Sequence, residues 1–91
     1  MNGKKVVKRK GHYENFDEKK VYGSIYFACK SSHMHSTQCE LIAERIVGRL
    51  KEEIRGKKEI DSDKIFGFVA KELEKQHKDA AYMYRTHRDI S

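Results

Sequence analysis

The residues best equipped for chemistry in this 91-residue chain crowd its start. Lys4, Lys5, Lys8, Arg9 and Lys10 fall within the first ten positions with no acidic residue among them. A local excess of this kind attracts an anionic partner. Lys8 and Arg9 are adjacent, and neighbouring side chains on a strand point to opposite faces. One face then carries Val6 beside Lys8, which suits an adenine or sugar contact next to a phosphate contact. Lys19 and Lys20 follow where a helix should begin, an end whose free N–H groups and dipole already favour anions. Lysines are unfavourable there unless an anion compensates them, and such broken local rules are expected at functional sites.

Three readings of these charges stand side by side. They form a solvated basic surface, or they track a nucleic-acid backbone while Tyr13, Phe16 and Tyr22 stack on bases, or they hold the phosphates of a small ligand. The net charge of +6 agrees with each. A second constellation, Cys29-x3-His33-x-His35-x3-Cys39, has the donor types of a tetrahedral zinc site. Its spacing is not the usual one, and free cysteine is among the most buried residue types. No metal ligand is therefore assigned, the two histidines are expected in solvent, and no disulfide is expected. For catalysis there is no Gly-rich phosphate loop, no H-E-x-x-H and no nucleophile elbow. Carboxylate pairs such as Glu52/Glu53 or Asp61/Asp63 carry little weight in a chain that is 37% charged. No catalytic residue is assigned, and the chain is not expected to be an enzyme. The aromatics Tyr22, Tyr26, Phe27, Phe66, Phe68, Tyr82 and Tyr84 are read as core and helix-contact residues.

The elements that must position the basic cluster follow from local signals. Lys5–Arg9 and His12–Phe16 are short runs around Lys10-Gly11, read as a β-hairpin with Gly11 at positive φ. Asp17 should cap a helix over 18–29, whose inward face carries Val21, Ile25 and Ala28. Thr37 and Glu40 have the spacing of a capping box. The helix after them places Ile42, Ile46, Leu50 and Ile54 four apart, flanked by Leu41 and Val47, and ends at Gly56. A short strand at Glu59-Ile60 precedes a helix capped by Ser62, with Ile65, Phe66, Val69 and Leu73 as its stripe. A last helix covers 78–86. The fold class is α+β, a hairpin and short third strand packed on about four helices. Residues 1–91 should form a single domain with an ordered core over about 4–90. No run approaches the ~18 apolar residues of a membrane span, nothing resembles a cleavable leader, and two cysteines are too few to staple a secreted domain. A cytoplasmic setting with no membrane partner is expected.

Val6-Val7-Lys8-Arg9-Lys10-Gly11, then Glu14, then Phe16-Asp17-Glu18-Lys19-Lys20-Val21, resembles the opening signature of the ATP-cone family. Glu59-Ile60-Asp61-Ser62-Asp63-Lys64-Ile65 is similar to a later segment of that family, and Ala81-Tyr82 with Arg88-Asp89-Ile90 to its ending. The likeness runs in order along nearly the whole chain. It departs at Lys10, where the family has an acidic or amide residue, and in a short stretch between Ala81 and Arg88, which leaves Arg85 and Arg88 without a firm role.

The resemblance implies an allosteric site for ATP or dATP, of the kind found in ribonucleotide reductases and in a zinc-ribbon repressor of reductase genes. It implies that Lys8, Arg9 and Lys20 meet phosphates and that Val6 and Val21 line the base pocket. Glu14 and Asp17 would then bond base or sugar, Ser62 and Ile65 would close the pocket, and Arg88 is the late basic candidate. Magnesium on the phosphates would use phosphate oxygens and water more than protein ligands. Neither a reductase catalytic domain nor a zinc ribbon lies within these 91 residues. The expectation is a stand-alone regulatory domain that forms a homo-oligomer or joins a separately encoded reductase or regulator. The alternative is a nucleic-acid-binding transcriptional regulator related to that repressor but lacking its ribbon, with Lys4, Lys5 and Lys10 in the footprint. A third reading keeps the fold as a structural adaptor with a degenerate site.

Overall fold

Lys5–Val7 (β1) and Tyr13–Asn15 (β2) pair antiparallel, with Val6 opposite Glu14. The turn between them needs a residue in the left-handed region. Gly11 supplies it at φ 84°, its N–H donating to the Lys8 carbonyl at 3.0 Å. Glu59–Asp61 (β3) adds to the other side of β1 in parallel, giving the order β2-β1-β3 with Val6 level with Ile60. Alternation then puts Val6, Glu14 and Ile60 on one face. Val6 and Ile60 are buried there against the helices, while Lys5, Tyr13, Asn15, Glu59 and Asp61 are exposed. The computed structural model describes residues 4–8 and 11–87.

Among the described residues four helices carry the sheet: α1 (Glu18–Ser31), α2 (Ser36–Glu53), α3 (Ser62–Gln76) and α4 (Lys78–Thr86). α1 packs on α2 and α4, and α3 on α4 and α2. The expected stripe of α2 is buried as read, with Ile42, Ile46 and Leu50 facing Ile25, Val69 and Leu73 in one apolar cluster. Lys4 ties the sheet to the end of α2, its ammonium donating to the carbonyls of Ile54 and Lys57 at 3.1 Å each. His77 ends α3 and starts α4, its Nδ1 accepting from the Ala80 N–H at 3.2 Å. The chain therefore folds back between these helices with no intervening loop.

The order of elements and the α+β class match the sequence reading, with differences at the helix ends. Asp17 caps α1 as expected, accepting from the Lys19 N–H at 2.9 Å, but α1 runs on to Ser31. The Thr37/Glu40 capping box does not form. Cys39 N–H already donates to the His35 carbonyl at 2.9 Å, so the helix starts at Ser36 and Thr37 lies inside it. Ser62 does not cap α3 either. β3 runs straight into the helix, so Asp61 is the extended residue, and its carboxylate accepts from the Asp63 N–H at 2.8 Å. Leu41 lies on the solvent side of α2, 58% exposed.

Leu73 is fully buried, so Leu73→Ala should cost about 2–5 kcal/mol of unfolding free energy. Leu41→Ala should stay within about 0.5 kcal/mol, as surface changes usually do. Urea denaturation of the two variants beside the parent checks the contrast.

Candidate functional site

A hollow of about 1340 Å³ opens between the hairpin and helices α1, α3 and α4. The hairpin supplies Val6, Lys8 and Glu14 to its wall, and the start of α1 supplies Asp17, Lys20 and Val21. Ser62 and Ile65 come from the first turn of α3. The structure thus brings eight of the ten sequence-assigned residues to one place, across 59 positions of chain from Val6 to Ile65. Arg9 and Arg88, like Lys10, lie outside the described residues.

Charge and apolar surface are separated within the hollow. Lys8 and Lys20 approach the same Glu14 Oε1, each with its Nζ at 3.9 Å. That is too long for a hydrogen bond and is a Coulombic contact. The Lys20 side chain is 74% exposed, and the Lys8 and Glu14 side chains are 39% and 47% exposed, so the trio sits at the mouth. Asp17 and Glu18 are already engaged, one capping α1 and the other pairing with Lys51 at 3.0 Å. Beyond the mouth the wall turns apolar. Phe16, Phe27, Phe66, Met83, Tyr84 and His87 line it with Val21 and Ile65. Phe66 and Tyr84 stack with ring centroids 4.9 Å apart, and Phe27 meets His87 edge-on at 5.2 Å. His87 Nδ1 lies 2.8 Å from the Met83 carbonyl oxygen, which holds the ring in that position. A cationic rim over an aromatic floor can hold a ligand with an anionic tail and a flat apolar head.

The aromatic floor was missed by the sequence reading, which placed these rings in the core or at helix contacts. Phe27 is 53% exposed, and Phe66 and Tyr84 are only partly buried. Helical stepping was the available signal. Ser24, Phe27 and Ala28 continue the Val21 face of α1, and Phe66 follows Ile65 on α3. Tyr82 also departs from the core reading, at 66% exposed on α4. Other cations go elsewhere. Lys5 does so only in part: it donates to Asn15 Oδ1 at 2.9 Å and lines a smaller hollow of about 480 Å³ that it shares with Glu14, Asp17 and Lys20. Arg85 pairs with Glu74 at 3.1 Å, away from the hollow wall. His33 and His35 are exposed while Cys29 and Cys39 are buried free thiols. Among the described residues no three His, Cys, Asp or Glu side chains are placed to hold a metal.

Among the described residues a three-stranded sheet is set on four helices in an α+β arrangement, with a basic-rimmed hollow between them. The description of the ATP cone domain matches residues 4–90, and the chain belongs to that family. It is also 31% identical over 90 residues to the transcriptional repressor NrdR of Geobacter metallireducens. That alignment covers 94% of this chain and 59% of the relative, so the chain spans about three-fifths of that relative's length.

Among the described residues burial perturbs three acids; it raises the Tyr22 phenol, with Glu40 and Glu44 adding to the effect, and it moves Cys29 and Tyr84 furthest. Desolvation, helped by neighbouring Cys39, pushes the Cys29 thiol up from 9.0 to about 12, and burial pushes the Tyr84 phenol up from 10.0 to about 12. Each is held neutral by the fold, so the folded state keeps protons that the unfolded chain releases in alkali. Their contribution is complete below pH 9.0 and is lost as pH rises toward about 12. Melting temperature should therefore fall across that window, and Tyr84→Phe should flatten the part above pH 10.0, as thermal melts in a buffer series will check.

Proposed function

We propose that this chain is a regulatory domain that binds ATP or dATP in the hollow and passes its occupancy on by association. The carrying observation is the convergence of Lys8 and Lys20 at the mouth of an aromatic-floored hollow. Membership of the ATP cone family supports the adenine nucleotide as ligand. In this reading Lys8 and Lys20, joined by Arg9, neutralise phosphate. Val6, Val21, Ile65 and the stacked pair of Phe66 and Tyr84 take the base. Asp17, Ser62 and Glu14 offer polar atoms to base or sugar, and Arg88 is a further candidate for the anion. Magnesium, where present, would be held by phosphate oxygens and water. The role is non-catalytic, and the outputs that fit it are a homo-oligomer or a separately encoded reductase or regulator.

The likeness to a transcriptional repressor favours a second reading, in which nucleotide state governs contact with nucleic acid. Its signature is affinity for duplex that weakens steeply with salt, and a flat salt response removes it. No helix among the described residues is long and apolar enough to cross a membrane.

A thermal-shift panel of ATP, dATP, GTP and ADP, run beside light scattering for oligomer size, tests the leading reading. The adenine triphosphates should raise the melting temperature by several degrees, since a saturating ligand that adds about 1–2 kcal/mol does so in a domain this small. The absence of any shift with ATP and dATP would sink it. Lys8→Ala should weaken ATP binding by about 1–3 kcal/mol in calorimetry, the range of a charge-assisted hydrogen bond.

A further inference from the structure

The contact at the mouth has a chemistry of its own. Lys8 directly follows the hairpin's first strand and Lys20 lies in the first turn of α1, and they meet at one oxygen of Glu14. Both pairs measure 3.9 Å, so the carboxylate stands between the ammonium groups without closing onto either. The pairing of Val6 with Glu14 turns this side chain to the hollow face, and nearly half of it remains in solvent, leaving it free to swing. The other acids nearby have different tasks, Asp17 as the cap of α1 and Glu18 as partner of Lys51.

We propose that Glu14 is the resident counter-ion of the site, a positioning residue that holds Lys8 and Lys20 together and yields them to an arriving polyphosphate. This rests on the reading of the hollow as a nucleotide site. Two ammonium groups drawn to one point repel each other, and a carboxylate between them offsets that repulsion while no ligand is bound. A phosphate chain that takes both lysines carries the same sign of charge as Glu14, so the carboxylate has to move away. Once displaced it is an acceptor with free lone pairs beside the base pocket, able to receive an N–H or O–H from the head of the ligand. A bare polyphosphate then has to displace Glu14 and gains nothing in return, whereas a nucleoside triphosphate recovers part of that cost through its base or sugar. Glu14 is in this way a specificity element: it disfavours inorganic polyphosphate relative to nucleotide.

Calorimetric titration of inorganic tripolyphosphate and of ATP into the parent chain and E14Q, at one fixed ionic strength, tests this. E14Q should bind tripolyphosphate about two- to fivefold more tightly, the size of an exposed ion-pair contact. Its preference for ATP over tripolyphosphate should fall. In a K8A/K20A background the E14Q gain should vanish, which a general structural effect of the substitution would not produce. Tripolyphosphate affinity that is unchanged or weaker in E14Q, while the parent still binds ATP, overturns the proposal and leaves the nucleotide reading standing. Failure of the parent to bind ATP overturns both.

Discussion

Two like charges can be gathered at the lip of a partly apolar hollow only if something holds them there, and here the holding rests on strand register. Val6 and Glu14 are paired, Val6 is level with Ile60, and all three side chains leave the sheet on the helix side. Val6 and Ile60 are anchored because they are buried in the core cluster. A slip of one residue would exchange the two faces. It would bring Tyr13 inward, turn Glu14 to solvent and remove the charge between Lys8 and Lys20. The short sheet has few hydrogen bonds with which to resist that slip. Burial of two β-branched side chains does more to set the register than the ladder itself.

The cationic half of the site was legible in the sequence because it is dense and local. Lys8, a glycine where the turn needs positive φ, and an Asp followed by Glu at the head of α1 need only neighbouring residues to be interpreted, whereas Lys4 and Lys5, equally basic in the sequence, are drawn to the Ile54 and Lys57 carbonyls and to Asn15. The aromatic half depends on packing. Phe27 and Phe68 have the same side chain, yet one lines the hollow and the other packs against the core cluster. What separates them is where α4 crosses α1, a long-range fact with no local marker. Asp17 caps α1 as expected, but the caps read at Thr37 and Ser62 failed for a related reason. Both are good capping residues, yet His35 and Asp61 are the extended residues from which the chain turns into helix first. Leu41 was misjudged because a leucine next to an apolar stripe looks like part of it until the neighbouring helix is in place.

α3 links the two halves. It begins directly from β3 through the Asp61 cap, so its first turn cannot move without moving the strand that pairs with β1. That turn presents Ser62, Ile65 and Phe66 to the hollow. Its far end runs through His77 into α4 with no loop to absorb a shift. Arg85 on α4 and Glu74 on α3 brace the pair from outside, but the contact is exposed and contributes little. The stacking of Phe66 on Tyr84 is the more substantial tie, and it lies in the wall that the proposed ligand would touch.

The consequence is a site whose walls come from both ends of the chain. Val6 and Lys8 stand near the start and Tyr84 and His87 near the end, and the polypeptide between them supplies most of the core. A ligand that neutralises the rim and fills the floor would clamp the hairpin to α4 through space, with no covalent path shorter than the whole domain. In a chain of this size, where net stability is a small difference of large terms, such a clamp is a sizeable share of the total. Occupancy would therefore alter the rigidity of the entire unit as well as its local shape. That global response is what the proposed regulatory role needs, because a surface far from the hollow could then report whether it is filled.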